Sequence, residues 1–357
     1  MRRLIVAYTP YHVLLATAVL QHSPDENHLA IVRDFGAAAE MASVLPRSTV
    51  RAFASAVALG GCFGVGTRMR RQFSYRRSAV EIARHAREIV PDQIWVGNDA
   101  RPESHAAFHA VARVRAAPAG VFIEDGMTAY AASVTRPLSL WEQAAGYALF
   151  GRLWSGISVL GTSPLVSGGL FTHPDIVRAE LSHLAKTPVS RDALLSPAMQ
   201  ALAADMVRGA GGDPGRIAGA DAVVTVTHSN VAARSPDYRR QMLELVRHLL
   251  RRHHGIAVKY HPRQAEPDYL GVGTDPRVTL LPRGLPLEYL YVLAAAGSPR
   301  RLQHVVGDVS TTLLTARWLV PEARVTSLGR PLGLLDSSIE QLFVRLGIAM
   351  PERLEPE

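Results

Sequence analysis

The chain has 357 residues, 48% of them apolar, which is enough for two domains or one large one around a substantial core. Its single cysteine, Cys62, excludes a disulfide framework and a cysteine-rich metal site. The formal charge is +8, but only Lys186 and Lys259 among the 39 basic residues are lysines; the arginine excess therefore reads as a bias of the whole chain, favouring anionic ligands or an anionic membrane surface without choosing between them.

Residues 4–8 form a short apolar run that reads as a first buried strand. Pro10 interrupts it too soon for a signal peptide. No run of 18 uninterrupted apolar residues predicts a membrane span, so the expected location is cytoplasmic, with the inner face of the membrane as a candidate peripheral site. Thr9 and Pro10 form an N-cap and first-turn pair for a helix over 11–21, whose N-terminus would point at whatever lies above the strand. A strand over 28–32, a helix over 36–45 and a third strand over 49–53 are predicted next. The glycines at 60–66 have G-x-G spacing but lack the preceding strand and following helix of a dinucleotide fingerprint, and read as a loop. Arg68, Arg70, Arg71, Arg76 and Arg77 follow, interleaved with Phe73 and Tyr75. They form either a basic patch for an anionic polymer or membrane, or the solvated start of a helix running to Glu88.

A strand over 93–97, a helix over 103–115 and a strand over 120–123 continue the alternation, the signature of a parallel doubly wound sheet. Glu124-Asp125-Gly126 stands at the end of the last strand, where ligands bind in open α/β sheets and where a base could work, although Asp-Gly is also a common turn. Residues 141–154 are aromatic and apolar, and fit a buried helix, a partner face or a membrane-surface element. The region 137–214 is the least regular and should hold the linker, most flexible at 209–215.

A second alternating unit begins with a strand over 221–227 that leads into Thr227-His228-Ser229. A basic helix over 238–254 and a strand over Ile256–Tyr260 follow. Pro262 cannot donate to a ladder and keeps His261 extended, so the strand should end at Tyr260 with Lys259, His261 and Arg263 around its end. A histidine there can donate a hydrogen bond or a proton to an anionic leaving group. A strand over 278–281, a helix over 286–295 and a strand over 302–306 lead to Ser310-Thr311-Thr312 at a strand-to-helix junction. Free backbone N–H groups and hydroxyls make such a junction a ready anion site. A helix over Ser337–Leu346 closes the pattern.

Glu124-Asp125-Gly126, His261-Pro262 and Ser310-Thr311-Thr312, in that order, resemble the acidic, His-Pro and Ser/Thr motifs of the bacterial sialyltransferases. The likeness is nearest to the polysialyltransferase-like capsule enzymes. Lys259 to Arg263, Pro286-Leu287-Glu288 and 309–313 extend the resemblance over much of the C-terminal half. Thr311-Thr312 stands where many relatives carry Ser-Ser. The resemblance implies an α/β GT-B architecture of two Rossmann-like domains facing across a cleft. Their expected bounds are 1–214 and 215–333, with 334–357 as a helix and tail that could pack back on the first domain. It implies a metal-independent, inverting transfer of sialic acid or a related nonulosonic acid from a CMP-activated donor to a glycan or glycolipid hydroxyl, with no cofactor and no nucleic acid.

Carried over by position, Asp125, or else Glu124, would be the general base and His261 would assist departure of CMP. Ser310, Thr311 and Thr312 would hold its phosphate, with Lys259, Pro262 and Glu288 completing the donor site. Candidates on the acceptor side are Thr9, Arg70, Arg71, Thr227, His228 and Ser229. A GT-B transferase using CMP-Kdo or another nucleotide sugar, and a non-catalytic protein that binds anionic glycans or membranes, are the competing readings. A serine hydrolase lacks its G-x-S-x-G elbow.

Overall fold

The computed structural model describes residues 1–61, 68–132, 135–228, 232, 237–262, 264, 266–296 and 302–353, with the backbone alone at 68–71. The chain divides into two compact units, Met1–Leu194 and Leu195–Glu357.

The first unit carries seven parallel strands: β1 (Arg2–Ala7), β2 (Glu26–Arg33), β3 (Ser55–Gly61), β4 (Gln93–Val96), β5 (Ala119–Ile123), β6 (Gly168–Phe171) and β7 (Ala185–Pro188). Their order is β3-β2-β1-β4-β5-β6-β7. Helices α1 (Pro10–Leu20), α2 (Ala38–Val44), α3 (Arg68–Ile89), α4 (Pro102–Val111), α5 (Leu140–Phe150) and α6 (Arg191–Leu194) connect and flank them. The run Leu4 to Ala7 is fully enclosed, as expected of a central parallel strand covered on both faces. Strand order reverses direction between β1 and β4, so their C-terminal ends diverge and open a crevice there.

The second unit repeats this plan with α7 (Pro197–Gly209), α8 (Pro214–Ala218), β8 (Ala222–Val226), α9 (Tyr238–Arg252), β9 (Ile256–Tyr260) and β10 (Val278–Leu280). It continues with α10 (Leu287–Ala295), β11 (His304–Gly307), α11 (Thr311–Leu319), β12 (Arg324–Ser327) and α12 (Ser337–Leu346). The five strands are parallel in the order β10-β9-β8-β11-β12, with the reversal between β8 and β11. The core packs Val224, Val226, Val258 and Tyr260 of the strands against Met242, Leu245, Val246 and Leu249 along one face of α9. The spacing of those four, three and four residues apart, is what the basic sequence of α9 hides in composition but shows in period. The fold is the expected α/β arrangement of two Rossmann-like units.

Several boundaries differ from expectation. The third strand is Ser55–Gly61, not 49–53, because Arg51 takes a left-handed φ of 50° and turns the chain first. The strand reaches into the glycines that read as a loop; residues 62–67 of that loop lie outside the described residues. A Cβ at Gly61 would come within 2.2 Å of the Val32 carbonyl oxygen, so the close pairing of β3 with β2 selects glycine there. The region 137–214 holds β6 and β7, whose Gly168-Gly169 and Lys186-Thr187-Pro188 hide them from an apolar pattern; all four β7 residues are exposed, as suits an edge strand carrying Lys186 and Pro188. β12 was likewise unforeseen. The second unit begins at Leu195 and not at 215, since α7 packs on α10. The 334–357 segment is not a separate appendage: Ala349 donates to Val325 and accepts from Ser327, fastening the chain after α12 to β12 of the second unit.

Candidate functional site

In the first unit the ends of β1, β4 and β5 bring together residues far apart in sequence. Thr9 caps α1 in extended conformation and accepts from the His12 backbone N–H. His12, at the third helical position, returns the contact: its Nδ1 accepts from the N–H groups of Tyr8 and Thr9, both at 3.2 Å. Those two donors fix the neutral tautomer with the proton on Nε2. Nε2 lies 3.2 Å from Asp125 Oδ1, a close approach outside hydrogen-bond geometry. The ring is fully buried, whereas Asp125 keeps about a third of its side chain open, at 30%. Gly97, just beyond β4, makes room: a Cβ there would stand 2.2 Å from His12 Nδ1.

Glu124 faces the other way and is locked. It accepts from Tyr11 Oη at 2.5 Å, Thr172 Oγ1 at 2.7 Å, the Thr172 backbone N–H at 3.0 Å, and Tyr130 Oη. It is wholly buried, and burial raises its pKa above the ordinary carboxyl value against the pull of those four bonds. Successive residues on an extended chain point to opposite sides. Here that alternation leaves Asp125 as the open carboxylate and makes Glu124 the post that fixes the β5 end to α1 and to the residue after β6. At the end of β2, Arg33 is 6% exposed, pairs with the buried Glu103 at 3.1 Å, and lies 4.2 Å over the Tyr75 ring, with Arg101 5.2 Å from the same ring.

In the second unit the corresponding ends are those of β8, β9 and β11. His261 follows β9 and donates its backbone N–H to Val226. Its ring meets His228, just beyond β8, edge to face at 5.2 Å. Ser310 caps α11: its Oγ accepts from the Thr312 N–H and lies 2.9 Å from Thr312 Oγ1. Two hydroxyls and the first N–H groups of a nine-residue helix therefore gather at one point. Gly307 is selected by packing, since a Cβ would stand 2.1 Å from Thr225 Oγ1. Asp308 is buried beside Thr227, and burial raises its pKa while the Thr227 hydroxyl bond opposes the shift.

Lys259 and Glu288 come together, but inside the fold. Lys259 is 8% exposed and gives its ammonium to the carbonyls of Pro282 at 2.5 Å and Arg283 at 2.7 Å. Burial pushes its pKa down to about 7, with Glu288 acting in the other direction. Glu288 is buried and accepts from Thr315 Oγ1. Pro262 is exposed beside His261, and Thr311 opens α11. The side chains of Arg70 and Arg71, together with Ser229 and Arg263, lie outside the described residues. The helical reading of the basic segment is correct for its backbone, which forms the first turns of α3.

Sequence reasoning missed His12, Tyr11, Tyr130 and Thr172. The signal for His12 was present in Thr9-Pro10-Tyr11-His12, where a capped helix start directly after the first strand places its third residue over the sheet end. Tyr130 and Thr172 had none, because only the path of the chain after β5 and β6 brings them to Glu124.

No protein-family model matches the chain, and no curated protein matches it. Among solved structures it superposes on the UDP-GlcNAc 2-epimerase of Neisseria meningitidis bound to UDP-GlcNAc, with a TM-score of 0.58 and 12% identity over 99% of this chain and 88% of that one. The corresponding values for the enzyme of Methanocaldococcus jannaschii are 0.52 and 12% over 99% and 89%. In fold, the chain is similar to these epimerases. The likeness extends over both units and agrees with the GT-B class of two Rossmann-like domains. Among the described residues no cluster of three or more histidine, cysteine or acidic side chains is disposed to hold a metal ion. Among them, too, no helix is long and apolar enough to cross a membrane.

Proposed function

We propose that the chain is a carbohydrate-active enzyme of the GT-B class, a glycosyltransferase that moves sialic acid or a related nonulosonic acid from a CMP donor to a glycan hydroxyl. The observation that carries the proposal is the placement of the motifs. Asp125 stands open at the strand ends of one unit, and His261 with the Ser310 and Thr312 hydroxyls stands at the strand ends of the other, on strands at or next to the reversal of strand order. In this reading Asp125 takes the proton of the acceptor hydroxyl as it attacks the anomeric carbon. The buried His12 ring stands 3.2 Å from the carboxylate and limits where it can turn. His261 donates to the departing CMP phosphate, and the α11 N-terminus with its hydroxyls stabilises the charge that builds there. A leaving monophosphate carries less charge than a diphosphate, so these groups can serve without a divalent ion. The acceptor is anionic, as the basic character of the chain favours.

A second reading follows from the likeness to the UDP-GlcNAc 2-epimerases: the same strand-end groups could move a proton on a UDP-sugar. A panel of CMP-nonulosonates, CMP-Kdo and UDP-GlcNAc, with and without glycan acceptors and with and without chelator, separates these readings. Release of CMP that persists in chelator and rises with acceptor is the expected result. Turnover of UDP-GlcNAc alone would replace the proposal with the epimerase reading, and activity lost in chelator and restored by magnesium would overturn the metal-independent mechanism.

A further inference from the structure

Away from these strand ends, the first unit carries a groove of about 500 Å³ between α3, α4 and the α5 region. Its floor is apolar, with Ala79 and Ala83 from α3, Ala106 and Ala110 from α4, and Phe150 from α5. Its rim carries Arg76, Arg87, Arg113 and Arg152, and no carboxylate is among the described residues that line it. All four arginines are exposed, and among the described residues no acidic side chain forms an ion pair with them. α5 continues the groove outward. Leu140 is 89% exposed, Trp141 74% and Tyr147 52%, on a helix of which only Gly146 and Phe150 are buried. Residues seven apart share a helical face, so Leu140 lies above Tyr147 and Trp141 above Ala148, both of which line the groove. On α3, Val80 adds a 67% exposed side chain to the same wall.

A water-facing helix with this composition is costly, and a large exposed apolar patch marks an interaction site. Two partners could cover it: another protein face or a lipid surface. The charge pattern favours lipid. Exposed apolar residues, a tryptophan at one end and a ring of unpaired arginines are the features by which a helix settles at a membrane interface. There the side chains enter the acyl region while the arginines meet phosphates.

We propose that this face docks on an anionic phospholipid bilayer, with Leu140, Trp141 and Tyr147 inserted and Arg76, Arg87, Arg113 and Arg152 paired with headgroup phosphates. The inference does not depend on the donor assigned above, because its test reads binding and not turnover.

The test is flotation of the full chain with vesicles of phosphatidylcholine alone or with about a third phosphatidylglycerol, the charge attraction being screened within ~8 Å at physiological ionic strength. Binding to the anionic vesicles alone, weakening as salt rises and accompanied by a blue shift of tryptophan fluorescence that Trp141→Gln removes, is the expected result. Trp141→Gln and the pair Arg113→Glu with Arg152→Glu should each lower vesicle binding by tenfold or more. Their side chains are exposed, so an unchanged melting temperature identifies the loss as one of docking. Equal binding of variants and parent, or no binding to anionic vesicles, would overturn the proposal. Concentration-dependent dimerisation abolished by Trp141→Gln, with no vesicle binding, would instead assign the face to a second copy of the chain. Quenching of Trp141 by inorganic phosphate with no flotation would reduce the site to an anion pocket.

Discussion

The two units use the same topology and support their strand-end groups in different ways. In the first, a neighbour does the supporting: Glu124 is sunk into four hydrogen bonds from α1, Tyr130 and the residue after β6, and this holds Asp125 forward. In the second, His261 has no such post directly before it. Tyr260 points into the core and donates its hydroxyl to Asp268, Lys259 is turned onto two carbonyls, and His261 is steadied from the side by His228 and a backbone bond to β8. The lesson is that alternation along an extended chain sorts neighbours into one that anchors and one that is presented. A motif of adjacent polar residues is therefore a structural residue and a functional one, and not two candidates for one role.

That sorting is tested most severely at Asp125. Asp125→Asn should leave the melting temperature unchanged while transfer falls by roughly 100- to 10,000-fold, the usual worth of general acid–base catalysis. CMP affinity, read by calorimetry, should be nearly unchanged because the proposed donor groups lie in the other unit. Full activity in this variant would remove the carboxylate from the mechanism.

The second test uses pH and reads the units against each other. His304 opens β11 at the edge opposite the proposed donor groups, and burial, with Arg324 and His253 nearby, pushes its pKa down to about 4. Burial lowers His253 as well. The unfolded chain takes up a proton near 6.5 and the folded chain only near 4. Stability is therefore full above pH 6.5 and is lost as pH falls toward 4, by on the order of 3 kcal/mol for His304. Carboxyls raised by burial act in the opposite sense and occur in both units, Glu103 and Glu124 in the first, Glu288 and Asp308 in the second. His304→Gln, whose amide nitrogen can reach the Nε2 position and keep the bond to Thr326, isolates the histidine. Melting curves of parent and variant should converge as the pH drops, and parallel curves would refute the assignment.

Glu124→Gln provides the counterpart to the Asp125 variant. The new amide must turn its NH2 toward hydroxyl or N–H donors, and the mismatch should cost about 1–3 kcal/mol by denaturant melting. Activity per folded molecule should fall much less than in Asp125→Asn. A stable, inactive Glu124→Gln would reverse the two roles.

The smallest effect is expected at Ser310. Ser310→Ala removes the α11 cap and should cost about 1 kcal/mol of stability. It also removes a hydroxyl beside Thr312, so CMP should bind several-fold more weakly. Ser310→Thr should restore both, and CMP affinity untouched by either change would take this helix start out of the donor site.

Much of this was legible from residues alone. The bounds Ile256–Tyr260 and Ser337–Leu346 match the structure. In the first, Pro262 and the apolar run leave the backbone one option; in the second, Asp336 and Gly347 cap a strongly amphipathic turn pattern. The alternation of apolar runs and helices announced two parallel sheets, because buried strands need continuous apolar side chains whatever their neighbours are. Tertiary structure decided the rest, for reasons of scale. β6, β7 and β12 carry Gly168-Gly169, Lys186-Thr187-Pro188 and Arg324 where an apolar run would announce a strand, and exist only because a neighbouring strand offers its ladder. The roles of Glu124 and Asp125 could not be separated locally, since what fixes Glu124 is Tyr11 from 113 positions earlier and Thr172 from 48 later. Neither could His12 be paired with Asp125, nor Gly97 be seen to make space for the ring. A sequence determines which groups can exist at a strand end; only the strand order, with its reversal between β1 and β4, decides which of them meet.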